Sequence, residues 1–189
     1  MNIKFLGSFE KVQSLPKTHF DEYAFVGRSN VGKSSLINAI AGAVIARTSK
    51  TPGRTQSLNL FNFGDRLAIM DLPGYGYAKI SKETEDMWLD RLQDYLINRD
   101  QLKLLFLLID ARHELKKSDK LVMDFCDANA IRYQIILTKI DKSNKKIIAE
   151  IKNEIGAKPR PAATTDILET SANKNIGIEY IKKVLGLRS

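Results

Sequence analysis

The sequence predicts an α/β domain whose parallel-rich sheet is covered by helices, and three observations carry that prediction. Short β-branched runs alternate with amphipathic stretches along the whole chain. One of these runs, Tyr23-Ala24-Phe25-Val26, feeds a glycine-rich turn that opens a helix. No internal repeat or low-complexity tract interrupts the pattern.

After that first strand, Leu36, Ile37 and Ile40 give residues 33–40 helical spacing. Residues 58–63 and 66–70 read as two strands, and the Gly64-Asp65 pair between them is a strong hairpin signal. Trp88, Leu89, Leu92, Tyr95 and Leu96 form an apolar stripe on a helix over residues 85–98. A buried strand is expected at 104–109, a helix at 118–129 and another buried strand at 133–137. A lysine-rich helix at 144–155, a short last strand at 167–170 and a closing helix at 176–185 complete the chain. Residues 1–20 are read as either an extra edge strand or a loosely packed arm, and residues 21–189 as the domain proper.

A chain of 189 residues is expected to make one domain, and 43% hydrophobic residues suffice for a full core. The single cysteine, Cys126, excludes an internal disulfide and a zinc site built on cysteine pairs; it reads as a buried structural thiol on a helix face. Neither His19 nor His113 has a metal-binding companion in the sequence. No signal peptide is visible, and the longest apolar run, residues 104–109, is too short to span a bilayer. The expected setting is soluble and intracellular, with no membrane partner. The net charge of +8 has two readings, an anionic partner or lysines that solubilise the surface.

Gly27-Arg28-Ser29-Asn30-Val31-Gly32-Lys33-Ser34 fits G-x-x-x-x-G-K-S, directly after a strand and opening a helix. The glycines let successive N–H groups point at phosphate oxygens, and the helix start adds favourable potential. Lys33 is expected to neutralise the β- and γ-phosphates and the Ser34 hydroxyl to coordinate Mg²⁺. This motif does not distinguish ATP from GTP.

Thr138-Lys139-Ile140-Asp141 does, because it reads as T/N-K-x-D at the end of a predicted strand. The Asp141 carboxylate can accept hydrogen bonds from guanine N1–H and the 2-amino group, both absent from adenine. The Lys139 stem can lie across the purine. Thr170-Ser171-Ala172, after the last strand, matches the turn whose backbone N–H meets guanine O6.

Asp71-Leu72-Pro73-Gly74 matches D-x-x-G, with Asp71 holding Mg²⁺ through a water and the Gly74 N–H sensing the γ-phosphate. Between the two phosphate motifs, Lys50-Thr51-Pro52-Gly53-Arg54-Thr55-Gln56 is a polar loop of the kind that completes the Mg²⁺ shell with a threonine. Thr55 is the candidate and Thr51 its rival. The order P-loop, D-x-x-G, T-K-x-D, S-A, each after a predicted strand, predicts a protein that binds GTP and GDP.

These motifs resemble the EngB (YihA/YsxC) family of bacterial Era-like GTPases from about Phe20 to the C-terminus. The resemblance is carried by residues 27–36, by Arg47-Thr48-Ser49-Lys50-Thr51-Pro52-Gly53-Arg54-Thr55-Gln56 and by Asp71-Leu72-Pro73-Gly74-Tyr75-Gly76-Tyr77-Ala78. Asp110-Ala111-Arg112-His113 and Leu137-Thr138-Lys139-Ile140-Asp141-Lys142 add to it. It implies a monomeric, cytoplasmic, Ras-like three-layer domain with a six-stranded, mostly parallel sheet. It implies GTP or GDP with Mg²⁺ held by Ser34 and Thr55, and nucleotide contacts from Gly53, Arg54, Thr55, Gln56 and Ser57. It also implies a role in assembling the large ribosomal subunit, hence ribosomal RNA and subunit precursors as partners, and a need for the protein in cell division and septation.

A Ras-type GTPase orients its water with a glutamine just after D-x-x-G, where this chain has Tyr75. Slow intrinsic hydrolysis is therefore expected, with Lys33, Asn30, Thr55 and Gly74 as the catalytic candidates. Asn30 stands where related Era-like proteins hold a K⁺ ion beside the phosphates; the alternative is a plain turn residue. Tyr75 and Tyr77 are either stacking groups for a partner or ordinary packing residues. Basic residues cluster at Arg47, Lys50 and Arg54, at Lys116, Lys117 and Lys120, and at Lys142, Lys145 and Lys146. Beside the enzyme-switch stand two other readings, a GTP-dependent binding module with incidental hydrolysis and a septal structural protein.

Overall fold

The computed structural model describes residues 3–46, 57–64, 67–76 and 82–187, residues 82–88 by their backbone. Seven strands are described: β1 (Ile3–Phe9), β2 (Asp21–Gly27), β3 (Leu58–Phe63), β4 (Leu67–Asp71), β5 (Leu102–Asp110), β6 (Tyr133–Thr138) and β7 (Leu168–Glu169). They form one sheet in the order β1-β3-β4-β2-β5-β6-β7. Five helices cover it: α1 (Lys33–Ala41), α2 (Lys82–Asn98), α3 (Lys117–Ala128), α4 (Lys145–Gly156) and α5 (Ile178–Val184).

The sheet has seven strands where six were expected, because β1 adds itself antiparallel to β3, from Ile3 opposite Phe63 to Phe9 opposite Leu58. Its alternation was hard to read because one face is solvated and a register shift falls between Phe5 and Gly7. β3 and β4 make the expected hairpin, with Asn59 opposite Asp71. Asp71 is the last residue of β4 instead of the first beyond it, since its backbone still pairs with β3 and, through Phe25, with β2. The helix expected from residue 85 begins three residues earlier, at Lys82, and the last strand is only two residues long.

β5 and β6 are buried along most or all of their length because helices pack on both faces of the sheet. On one face, Leu92, Tyr95 and Leu96 of α2 join Val122, Met123 and Cys126 of α3 and Ile151 and Ile155 of α4. On the other, Leu36, Ile37 and Ile40 of α1 meet Ile178 and Ile181 of α5. Cys126 is a buried thiol whose pKa burial pushes up to about 12, with Asp127 adding to the shift, so it is inert at neutral pH. No helix among the described residues is long and apolar enough to cross a membrane.

The strand order also locates a crevice. β2 and β5 are neighbours, yet the connection leaving β2 through α1 runs to β3 on one side, and that leaving β5 through α3 runs to β6 on the other. The C-terminal ends of strands at such a reversal are where α/β sheets place ligands.

Candidate nucleotide-binding site

The G-x-x-x-x-G-K-S turn leaves β2 at that crevice and enters α1 at Lys33. Gly27 is required by packing: a Cβ there would stand 2.8 Å from the Leu108 carbonyl and 2.9 Å from Val31. Gly32, at φ 105°, is required by conformation. Asn30 also takes a left-handed backbone, φ 60°, which asparagine tolerates, so it serves the turn whatever else it does. Val31 is buried; Arg28, Ser29 and Ser34 are half-buried.

The D-x-x-G segment runs beside this turn. The Leu72 N–H donates to the Phe25 carbonyl at 3.0 Å, the Tyr75 N–H to Gly27 at 3.2 Å, and the Ser29 N–H to Tyr75 at 2.9 Å. Pro73 and Gly74 lie between, with Gly74 packed so closely that a Cβ would be 3.2 Å from the Gly27 carbonyl. Lys33 Nζ is ion-paired to Asp71, and both side chains are mostly buried. The cation expected at phosphate and the carboxylate expected at a metal thus stand together at the mouth of β2 and β4. The Ser34 hydroxyl and the Asp71 carboxylate are oxygen donors, the donor chemistry that Mg²⁺ takes, so the residues present fit that ion.

The residues expected to read the base come from two other loops. Thr138 ends β6 with its hydroxyl donating 2.7 Å to the Val31 carbonyl, which ties this strand end to the phosphate turn. Lys139 takes φ 58° and sweeps back over that turn, its Nζ donating to the Asn30 carbonyl and, at 2.9 Å, to Asp110. The Ile140 N–H donates 3.2 Å to Thr170, and the Thr170 N–H donates 2.7 Å to Leu137. Asp141, Thr170, Ser171 and Ala172 therefore line one cleft of about 150 Å³ together with Gly32 and Lys139. A hydrogen bond from Ser171 lowers the Asp141 pKa, so the carboxylate is ionised and ready to accept.

Several contributors escaped the sequence. Asp110, at the end of β5, anchors Lys139 and is itself gripped by Arg112 at 2.9 and 2.7 Å. Nothing local marks that role; it follows from β5 and β6 pairing with Asp110 opposite Thr138. Ser35, Lys142 and Asn173 also line the cleft, for the same non-local reason. Burial alone would raise the Asp110 pKa, but hydrogen bonds from Arg112 and Lys139 bring it down to about 2. A depressed carboxylate contributes stability that is complete above its unfolded value near 4 and lost as pH falls toward 2. Arg112→Ala is accordingly expected to flatten the acid limb. Its loss of stability between about pH 4 and 2, read from urea midpoints, should be smaller than wild type's by roughly 1 kcal/mol after screening by solvent.

Tyr75 does not present a stacking group. It is 3% exposed, and its hydroxyl donates 2.7 Å to Asp119 of α3. Burial first, then Asp119, raises its pKa well above the usual phenol value, so it stays protonated. Ser57 is half-buried just ahead of β3. Arg47, Lys50, Thr51, Gly53, Arg54, Thr55, Gln56 and Tyr77 lie outside the described residues.

A strand–loop–helix phosphate turn at a sheet reversal, with an ionised aspartate in a cleft beside it, defines a P-loop protein that binds guanine nucleotides. Residues 22–139 match the family model described as a 50S ribosome-binding GTPase. A probable GTP-binding protein EngB of Chelativorans sp. (strain BNC1) is 45% identical over 193 residues, covering 96% of this chain and 86% of that protein. Its counterpart in Gluconobacter oxydans (strain 621H) is 46% identical over 181 residues, covering 94% and 79%. The crystal structure of a probable GTP-binding protein engB superposes with a TM-score of 0.70 at 24% identity, over 87% of this chain and 96% of that one. The chain belongs to the EngB family of GTP-binding proteins.

Proposed function

We propose that the protein hydrolyses GTP to GDP and phosphate and acts in the cytoplasm, as a monomer, as a conformational switch in assembly of the large ribosomal subunit. The observation that carries the reading is the cleft that joins Asp141 and residues 170–172 to the phosphate turn. In this reading Lys33 would release Asp71 and turn to the β- and γ-phosphates, and Ser34, Thr55 and, through a water, Asp71 would hold Mg²⁺. Mg²⁺, when bound, neutralises charge on the β- and γ-oxygens. Gly74, packed on the phosphate turn, would register the presence of a γ-phosphate. The description of the matching family as 50S ribosome-binding supports the assembly role, and the need for the protein in division and septation would follow from a shortage of ribosomes.

The buried hydroxyl of Tyr75 supports a slow intrinsic rate, because that side chain is committed to Asp119 and leaves water positioning to other groups. A K⁺ ion held near Asn30 would supply the missing positive charge. The test is single-turnover release of phosphate from γ-labelled GTP in KCl and in NaCl, with and without large-subunit particles. Slow release, faster in KCl and faster again with particles, is expected. Equal rates in the two salts remove the K⁺ role, and no release under any condition leaves a GTP-dependent binding module.

A further inference from the structure

β5 and β6 pair in register to their last residues, and the Ser143 hydroxyl donates to the Ala111 carbonyl. The loops after these strands therefore emerge side by side and lead into α3 and α4, with Lys120 of the first turn of α3 paired to Glu154 near the end of α4. Lys116 and Lys117 open the first helix, Lys145 and Lys146 the second, with Lys142 and His113 exposed between them.

Folding does not account for these lysines. A helix start favours carboxylates and disfavours cations, yet the first turn of α4 holds no acidic residue. Some cations of the molecule are paired, Arg160 with Asp124 and Asp127, Lys152 with Glu169, Lys182 with Glu179 and, on this face, Lys120 with Glu154. Lys116, Lys117 and Lys145 make no ion pair with a described residue, and Lys146 only approaches Glu150 at 4.0 Å. Lys116 has Asp119 beside it, but the charges of Lys117, Lys145 and Lys146 join it in a basic face that makes sense against an external polyanion. A phosphate backbone suits them best, since lysines offer charge without the fixed geometry that reads bases.

This face is wired to the nucleotide. One oxygen of Asp119 accepts the Tyr75 hydroxyl, and the other accepts the Lys116 N–H at 3.1 Å. Tyr75 follows Gly74 directly, so a displacement of the D-x-x-G segment pulls on the first turn of α3.

We propose that the lysine face at the starts of α3 and α4 binds the phosphate backbone of folded RNA, and that the Tyr75–Asp119 hydrogen bond makes this binding depend on the bound nucleotide. The proposal rests on reading the protein as a ribosome-assembly switch and names the surface that reading needs.

The test measures anisotropy of a fluorescein-labelled RNA hairpin of about 20 base pairs, with GDP or a non-hydrolysable GTP analogue, from about 50 to 200 mM KCl. Four proteins are compared: wild type, Lys116→Ala/Lys117→Ala/Lys145→Ala/Lys146→Ala, Tyr75→Phe, and Lys4→Ala/Lys11→Ala/Lys17→Ala/Lys158→Ala. The last removes the same charge from exposed positions elsewhere. The face variant should lose at least about tenfold in affinity and roughly 2–3 in the slope of log K against log salt. The control should stay within about threefold. Wild type should distinguish the two nucleotides by at least about fivefold, and Tyr75→Phe should bring that ratio near one.

Equal losses in the face and control variants would overturn the surface, as would competition by polyglutamate as strong as by unlabelled RNA. A nucleotide ratio unchanged in Tyr75→Phe would overturn the coupling. Co-sedimentation with large-subunit particles separates the two levels. Particles bound equally by wild type and face variant sink the surface and leave the assembly role standing. A wild type that binds the hairpin and ignores the particles does the reverse.

Discussion

Asp141→Asn is expected to weaken GDP and GTP binding by at least about a hundredfold and to admit xanthine nucleotides in their place. The carboxylate can accept from N1–H and the 2-amino group at once, and a hydrogen bond from Ser171 lowers its pKa. Asparagine keeps one acceptor and gains an NH₂ donor, which opposes the guanine 2-amino group and suits the C2 carbonyl of xanthine. The preference should invert because the rest of the cleft is untouched. Lys139 stays anchored to Asp110 and Asn30, and Thr170 stays hydrogen-bonded to Leu137. Titration with fluorescent GDP, competed by XDP and ATP, measures it. Gained xanthine affinity is itself proof that the variant is folded. Unchanged guanine affinity, or wild-type competition by ATP as strong as by GTP, would remove Asp141 from base recognition.

The phosphate turn was legible because its chemistry is local: eight consecutive residues fix the backbone path, and a strand and a helix flank them. The cleft was legible in part. Asp141 and residues 170–172 each sit at a strand end that the pattern locates, and parallel pairing of β6 with β7 brings them together. What no window of sequence contains is the lateral order of strands. The Asp110–Lys139 contact, the Thr138 bond to Val31 and the Tyr75 bond to Asp119 all join segments at least 29 residues apart. β1 was ambiguous for a different reason: an edge strand with a register shift and one wet face carries little hydrophobic period, so its sequence resembles an arm.

Another such long-range contact gives the largest expected effect on stability. Glu22, at the start of β2, is fully buried, and Arg99, just beyond α2, is 9% exposed. Arg99 Nε donates to both Glu22 oxygens at 3.1 and 3.0 Å, its Nη2 donates 2.9 Å to the Pro16 carbonyl, and the Tyr95 hydroxyl adds 3.0 Å to Glu22. This cluster bolts the end of α2 and the segment after β1 to the central strand, at the end of the sheet away from the nucleotide. Arg99→Ala leaves the buried carboxylate with two neutral hydroxyl donors, Tyr95 at 3.0 Å and Thr18 at 3.5 Å, and a loss of about 3–5 kcal/mol is expected from urea denaturation. Glu22→Met/Arg99→Met should recover most of the loss, since two apolar side chains fill the volume without charge to desolvate. A single variant less than about 1 kcal/mol below wild type would show that water reaches Glu22 once Arg99 is gone. A double variant as unstable as the single would show that the ion pair, and not merely the filled space, holds α2 to β2.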